Sequence, residues 1–144
     1  MKFKTVIDPS GEDLVVIHAT EYSDRVREIE QFVSDERERE LVGYLGESII
    51  PLDADSVSAF VSEGGSVYAI VSGKRIGIKE RLYSLEGRLG GRFVRVNQSC
   101  IANISKIARF DASFSGALAV IFKDGYRDFV SRRQLKTVKE RIGF

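Results

Sequence analysis

The stretch Phe93-Val94-Arg95-Val96-Asn97-Gln98-Ser99-Cys100-Ile101-Ala102-Asn103 holds two short apolar runs that are interrupted by a polar triplet. The apolar runs predict two short strands, and the triplet Asn97-Gln98-Ser99 predicts the connection between them. Amide side chains can pair with adenine through two hydrogen bonds, and a serine hydroxyl can reach either a base or a phosphate. An ordinary loop, held by side-chain-to-backbone hydrogen bonds, explains the same triplet equally well.

Short apolar segments continue on both sides of this stretch and predict a mainly antiparallel β fold. Hairpin turns are indicated by Glu63-Gly64-Gly65 and by Lys123-Asp124-Gly125-Tyr126. Pro51 indicates an edge position or a strand end, because proline cannot donate a ladder hydrogen bond. Leucines at helical spacing predict a helix over 79–89, with Gly90-Gly91 as its end. The predicted strands cover 48–52, 57–62, 66–71, 76–78, 93–96, 100–102, 104–110, 117–122 and 127–130.

The last element carries the strongest local signal. Ser131-Arg132-Arg133-Gln134 has the spacing of a capping box, in which a hydroxyl stands at the N-cap and an amide follows three residues later. Leu135, Val138 and Ile142 then recur at helical spacing. The two arginines occupy the first helical turn, where the helix dipole disfavours cations. Arginines beside free backbone N–H groups favour a phosphate-binding site over a random surface pair.

Residues 1–45 are predicted to form a small acidic β-β-α appendage. Strands are expected at 2–8 and 14–18, with a Pro-Ser-Gly turn between them. Ser23 can cap a helix that runs to about Arg37. The apolar face of this helix is formed by Val26, Ile29, Phe32 and Val33.

The net charge of +1 conceals a strong asymmetry along the chain. Residues 1–63 carry 6 Lys/Arg and 15 Asp/Glu, whereas residues 64–144 carry 16 Lys/Arg and 6 Asp/Glu. A basic half is expected to contact a polyanion such as nucleic acid. The alternative is that the two halves fold together and neutralise each other.

Residues that could support catalysis or bind a metal are scarce. His18, the only histidine, lies in a predicted strand and is expected to be packed there; Cys100, the only cysteine, is expected to point inward. A single cysteine cannot form an intramolecular disulfide, which fits a reducing cytoplasm. Asp53-Ala54-Asp55 could hold a cation but is more typical of a turn. The glycine-rich segment Gly87–Gly91 could be taken for a phosphate-binding loop, but it follows a predicted helix instead of preceding one, which favours a helix C-cap. No run of about 18 apolar residues predicts a membrane span, and we expect a cytoplasmic protein. Because catalytic and metal-binding residues are scarce, we expect a protein that is not an enzyme and has no metal or cofactor.

Three segments in the right order and spacing resemble the LytTR DNA-binding domain family over about residues 46–144. The stretch 93–107 is similar to that family's signature, which has a phenylalanine, an R-[IVC]-[HSN]-x-S core and I-V-N-x-x-x-I. The ending 123–139 is similar to the closing strand and helix of the family, and 81–89 matches its preceding helix. The resemblance implies an elongated antiparallel β fold, which inserts loops into successive DNA grooves without a recognition helix.

The resemblance implies DNA contacts at a hairpin loop, at the polar triplet and at the start of the last helix. Histidine is frequent in the family at the position of Asn97 and around Val67, and this chain has histidine at neither place. Because no receiver domain precedes the β domain, the chain resembles a stand-alone subtype, whose members often accompany a small membrane protein. The implied contact residues are Gly65, Ser66, Val67, Arg95, Asn97, Gln98, Ser99, Ser131, Arg132, Arg133 and Lys136.

The sequence therefore predicts a transcriptional regulator that binds double-stranded DNA specifically. Arginines and lysines would hold the phosphate backbone, while Asn97, Gln98 and Arg133 would read base edges. A homodimer, or tandem binding on repeated sites, is an accompanying expectation. The alternative is a protein-interaction module whose basic face docks an acidic partner.

Overall fold

The computed structural model describes residues 2–11, 14–38, 41–112 and 116–144 of an α+β chain that is mainly antiparallel β. The helices are α1 (Asp24–Glu38), α2 (Leu82–Arg88) and α3 (Arg132–Ile142). The strands are β1 (Leu41–Leu45), β2 (Ser48–Leu52), β3 (Ala59–Glu63), β4 (Ser66–Val71), β5 (Lys74–Ile78), β6 (Phe93–Asn97), β7 (Cys100–Asn103), β8 (Ile107–Ala112), β9 (Leu118–Phe122) and β10 (Arg127–Val130).

The strands form two sheets in which every pair of neighbours is antiparallel. Seven strands are ordered β2-β1-β5-β4-β3-β7-β6, and three are ordered β10-β9-β8. Strand β2 lies at an edge, where Pro51 is opposite Val42. This confirms the edge position that the proline indicated, because an edge strand can leave one N–H position unpaired.

The seven-stranded sheet is buried on both faces at β3, as the alternation of side chains along this strand shows, whereas β1 and β2 leave Val42, Leu45 and Ile49 exposed. Phe60 belongs to one core with Leu82 and Leu85 of α2. Its neighbours Ala59 and Val61 point the opposite way, into a second core that the three-stranded sheet and α3 complete. Successive side chains of a strand alternate between faces, so one strand supplies both cores. Burial of a side chain as large as that of Phe60 contributes roughly 1.5–3 kcal/mol.

The two strands predicted for 2–8 and 14–18 are wrong, because neither segment forms a strand. The turn between them does form: the backbone N–H of Gly11 donates to the carbonyl oxygen of Asp8 at 3.1 Å. A lone two-stranded hairpin is at best marginally stable in water, and neither sheet of the described chain takes up these segments. His18, expected to be packed in a strand, is exposed.

Helix α1 begins as predicted, since the backbone N–H of Val26 donates to Oγ of Ser23 at 3.3 Å. Val26 is buried, but Phe32 and Val33 on the predicted apolar face are exposed. Only part of that face is therefore covered within the described chain.

The sequence predicted a domain boundary at residue 46, but the seven-stranded sheet already includes residues before that position. Leu41 is buried in the first core and pairs with Leu52, and Tyr44 pairs with Gly77 of β5. Strand β1 is thus an interior strand of the sheet, although the sequence assigned it to the N-terminal unit.

Helix α2 ends at Arg88, and Leu89 after it adopts an extended conformation and donates its N–H to the carbonyl oxygen of Leu85. The predicted glycine cap is not formed, since neither Gly90 nor Gly91 has a positive φ. Gly91 has a different role, because a Cβ there would lie 2.8 Å from Oη of Tyr22. The missing side chain makes room for the segment that leads into α1.

Candidate nucleic-acid interface

Backbone hydrogen bonds bring together the three segments that the sequence singled out. The N–H of Ser62, at the end of β3, donates to the carbonyl oxygen of Ser99 at 2.9 Å. The N–H of Ser131, ahead of α3, donates to the carbonyl oxygen of Val96 at 2.9 Å. The β3–β4 turn, the β6–β7 turn and the start of α3 are therefore neighbours. We call the surface formed by Gly64–Gly65, Gln98–Ser99 and Arg132–Arg133 the three-loop surface.

The β3–β4 turn depends on two glycines in the left-handed region. Gly64 has φ +57° and Gly65 has φ +81°, the signs that a two-residue hairpin turn of type I′ requires. Apart from the adjacent residues, no atom of the described chain lies within 4 Å of a Cβ built on either glycine, so the turn backbone is open to a ligand. Ser66 is exposed, whereas Val67 packs partly against the first core. Of the predicted contacts here, Gly65 and Ser66 are accessible and Val67 only in part.

Asn97 is turned inward, which argues against the base-reading role that the sequence gave it. The residue is 4% exposed. Its Nδ2 donates to Oδ1 of Asp128 at 2.7 Å and to the carbonyl oxygen of Phe129 at 2.8 Å. Its Oδ1 accepts from the N–H of Ser99 at 2.8 Å. Both donors and the acceptor are occupied, so we reassign Asn97 from reading DNA to shaping the turn.

Arg95 is likewise committed to the protein. Its Nε lies 2.6 Å from Oε2 of Glu86, and its Nη1 donates to the carbonyl oxygen of Gln98 at 2.7 Å. The side chain is 17% exposed. Arg95 therefore neutralises a carboxylate and holds the β6–β7 turn, and we reassign it from a DNA contact to a support of that turn.

Gln98 and Ser99 form the exposed tip of the same turn. Within the described chain, neither side chain makes a hydrogen bond to protein. An amide that is held on a rigid turn, with its donors and acceptor free, suits pairing to a base edge.

The start of α3 forms only half of the predicted capping box. Oγ of Ser131 accepts from the N–H of Gln134 at 3.3 Å, as predicted. The N–H of Ser131, which a capping box would pair with the Gln134 side chain, donates to Val96 instead. The helix is thereby anchored to β6, and this anchor could not be foreseen from local spacing.

Arg132, Arg133 and Lys136 extend from the first turns of α3 and are exposed. Among the described residues, no carboxylate lies within ion-pair distance of any of the three. The remaining face of the helix is anchored as predicted, with Val138 buried and Leu135 and Ile142 packed against the second core. The start of α3 thus presents three cations without protein partners on a fixed helix.

Asp128, which the sequence analysis passed over, connects these parts. Besides accepting from Asn97, it accepts at Oδ2 from Oη of Tyr126 at 3.2 Å. Burial and the nearby Asp128 carboxylate raise the pKa of Tyr126 well above its ordinary value. Burial also raises the pKa of the Cys100 thiol beside it, so this cysteine is the inward-facing apolar residue that the sequence predicted. The alternation along β10 could have indicated Asp128 as an inward-facing charge.

The other candidates have structural roles. Oδ1 of Asp53 accepts from the N–H of Asp55, and Asp53 caps a single 3-10 turn over Ala54–Ser56, as expected of a turn. Arg92 pairs with Asp55. The described residues contain no group of three or more potential metal ligands. Among the same residues, none of the helices has the length and hydropathy to span a bilayer.

Residues 47–143 match the family model of the LytTr DNA-binding domain. The chain belongs to the LytTr DNA-binding domain family. This confirms the resemblance drawn from the sequence, and the family is one of DNA-binding domains.

Relatives and solved structures agree with this membership. The chain is 33% identical over 132 residues to an uncharacterized HTH-type transcriptional regulator of Staphylococcus aureus strain NCTC 8325 / PS 47, and equally to one from strain COL. Each alignment covers 91% of this chain and 90% of the relative. The fold resembles the LytTr DNA-binding domain of a methyl-accepting/DNA response regulator from Bacillus cereus, with TM-score 0.68 and 19% identity, covering 72% of this chain and 96% of that one.

The LytTr fold of this chain differs from what the relatives' names suggest. Within the described residues, strands separate α1 from α2 and α2 from α3, so no two helices are joined by a short turn. A helix-turn-helix motif needs such a pair. The described residues of this LytTr domain therefore do not form a helix-turn-helix motif.

Proposed function

We propose that this LytTr protein is a transcriptional regulator that binds double-stranded DNA in a sequence-specific manner through the three-loop surface. The observation that carries the proposal is the 2.9 Å hydrogen bond from Ser131 to Val96, together with the bridge from Asn97 to Phe129. These contacts fix the tip of the β6–β7 turn beside the start of α3. This arrangement supports a joint approach of Gln98 and Arg133 to one duplex.

Gln98 and Arg133 are assigned to base reading. A glutamine amide pairs with N6 and N7 of adenine, and an arginine guanidinium pairs with O6 and N7 of guanine. Both side chains are exposed and both begin on supported backbone, which limits the conformational entropy lost on binding.

Arg132 and Lys136, with Gly65 and Ser66 of the β3–β4 turn, are assigned to the phosphate backbone. Cations without protein partners release counterions when they neutralise phosphates, which supplies affinity without sequence preference. The open backbone of the glycine turn can approach a phosphate or a groove edge more closely than a turn with side chains. Contacts to phosphate, which position the protein, and contacts to bases, which read the sequence, are thus assigned to different but neighbouring residues.

We further propose that two copies occupy repeated sites on the DNA. Two recognition surfaces on one duplex raise the effective concentration of the second contact. A pair of short repeats separated by a whole number of helical turns would place both copies on the same side of the duplex.

The test is selection of bound duplexes from a random pool by the full chain at near-physiological salt. Enrichment of a short motif, in single or repeated form, is expected. A pool that stays random after several rounds, although the protein retains duplex, would overturn sequence specificity. Loss of duplex retention together with capture of an acidic polypeptide would support the protein-interaction alternative instead.

A further inference from the structure

Exposed large apolar side chains are concentrated at the N-terminal end of the chain. Within the described residues, nine of the fifteen such side chains precede residue 34, including Phe3 at 93% exposure and Phe32 at 86%. Monomeric proteins rarely expose extended apolar patches, and such patches mark interaction sites. The nine are Phe3, Val6, Ile7, Leu14, Val15, Val16, Tyr22, Phe32 and Val33.

Part of this set forms one surface on α1. Lys2 and Phe3 line an open cleft together with Arg25, Glu28 and Ile29, so these two residues lie beside the helix. Phe32 and Val33 follow Ile29 by three and four residues and therefore share its face. We call the surface formed by residues 2–8 with Ile29, Phe32 and Val33 the N-terminal face.

We propose that the N-terminal face binds a second copy of this chain, with residues 2–8 of the two copies pairing as antiparallel strands. An antiparallel pair centred on Thr5 sets Lys2 opposite Asp8 of the second copy, and Phe3 opposite Ile7. Because the pair is symmetric, Asp8 of the first copy also faces Lys2 of the second. Both pairs join opposite charges, which stabilise a strand pair. Pairing also supplies partners for a segment that is rich in β-forming residues but has no strand partner within the described chain.

The same complementarity cannot be satisfied within one copy. Lys2 and Asp8 are six residues apart, which in extended chain is roughly 20 Å. The carboxylate of Asp8 accepts hydrogen bonds from Ser10 through Oδ1, and Lys2 lies in the cleft beside α1. Lys2 and Asp8 of one copy therefore cannot pair with each other, whereas Lys2 of one copy can pair with Asp8 of another.

Helix α1 lies near the region of α3 that is farther from Arg132 and Arg133, so that association through the N-terminal face leaves these two arginines accessible. Oη of Tyr22 donates to Glu30 of α1 at 2.8 Å, and a Cβ on Gly91 would lie near both Tyr22 and Nη2 of Arg141. Glu30 of α1 and Tyr22, which precedes this helix, thus lie near the C-terminal end of α3. Arg141 is nine residues from Arg132, about 14 Å along the helix axis. Association there leaves the DNA-contacting end of α3 uncovered.

The first test is sedimentation velocity of the full chain without DNA over a range of concentrations. A reversible monomer–dimer equilibrium is expected. Phe32→Ser should weaken association at least tenfold. Tyr83→Ser is the matched control, because Tyr83 is an equally exposed aromatic, 85%, on α2, and it should leave association unchanged. A chain that stays monomeric at the highest soluble concentration, or equal effects of the two substitutions, would overturn the proposal.

The second test reverses charges to examine the register. Lys2→Glu and Asp8→Lys should each weaken association severalfold, because each sets like charges opposite one another in the paired strands. The double variant restores opposite charges and should recover the dimer. Weakening in both single variants without recovery in the double variant would overturn the register and the proposal with it. The inference extends the two-copy binding proposed above, but with no DNA present its failure is distinguishable from a failure of DNA binding.

Discussion

Nδ2 of Asn97 lies 2.7 Å from Oδ1 of Asp128 and 2.8 Å from the carbonyl oxygen of Phe129. The same amide accepts from the N–H of Ser99. One buried side chain therefore fixes the β6–β7 turn and ties it to the end of β10, just before α3. The geometry of the three-loop surface depends on this link, although Asn97 itself is hidden from a ligand.

Asn97→Ala should lower the free energy of unfolding by about 1–3 kcal/mol, because it leaves buried polar groups of Asp128 and Phe129 without a partner. It should also reduce the preference for a selected duplex over a scrambled one, since Gln98 is no longer held. Chemical denaturation and the ratio of the two affinities measure these effects. Asp128→Asn, which keeps an acceptor oxygen toward Asn97, should cost less. An unchanged unfolding free energy in Asn97→Ala would show that the link carries no stability.

Asp124 gives the stability a defined pH dependence. Oδ2 of this carboxylate accepts from Oγ of Ser58 at 2.7 Å and from the N–H of Gly73 at 3.0 Å. Burial raises the pKa of Asp124, but these hydrogen bonds outweigh it and hold the pKa below the ordinary 3.8. A carboxylate whose pKa is lower in the folded state stabilises the fold at pH above its ordinary pKa. This stabilisation disappears as the pH falls through the lower pKa of the folded state.

Wild type should therefore lose more thermal stability than Asp124→Asn between pH 5 and strongly acidic solution, about pH 2. The neutral amide of the variant cannot titrate, so the stability difference between the two proteins should shrink as the pH falls. Melting curves at matched ionic strength provide the measurement. A difference that stays constant over this range would exclude Asp124 as the titrating group.

Duplex affinity should fall steeply with salt, with a log–log slope of roughly −0.9 for each phosphate neutralised. Lys136→Ala should make the slope shallower by about one unit and weaken all duplexes alike, because Lys136 is assigned to phosphate. Affinities measured at several salt concentrations check this. A slope near zero between low and physiological salt would contradict the proposed use of the basic half.

The position of the domain boundary is tested by two fragments. Residues 41–144 keep the whole seven-stranded sheet and should fold and bind a single site. Residues 46–144 lose β1, so that Leu52 loses its strand partner, Gly77 keeps only its partner on β4, and the buried Leu41 is removed. This shorter fragment should be less stable by several kcal/mol, since large core deletions cost about 2–5 kcal/mol. Equal melting temperatures would show that β1 is dispensable and that the sequence boundary was adequate.

Local patterns predicted those elements whose partners are close in sequence. The Pro51 edge strand, the β9–β10 hairpin and the hydroxyl cap of α3 each depend on neighbouring residues, and all are present. Long-range partners were not predictable. Whether Asn97 faced DNA or the core depended on Asp128, which is 31 residues away. The N-terminal strands failed for a similar reason, because strand-forming residues need a partner that local sequence does not reveal.

The roles of Gln98 and Arg133 give the sharpest prediction. Arg133→Ala should cost about 1–3 kcal/mol of binding free energy and relax the preference at one base position, as expected for a guanidinium paired with guanine. Gln98→Ala should relax the preference at a different position. Neither change should lower the melting temperature, because both side chains are exposed.

The measurement is a matrix of affinities, in which each variant is tested against every single-base substitution of the selected duplex. Arg81→Ala is the matched control: it is also an exposed arginine at a helix start, but it precedes α2, which packs on the opposite face of the seven-stranded sheet from α3. This control should leave every element of the matrix unchanged. Affinity that falls by the same factor for all duplexes would assign Arg133 or Gln98 to the phosphate backbone. A lowered melting temperature would instead assign the residue to the fold, because a side chain that serves only DNA contributes nothing to the stability of the free protein.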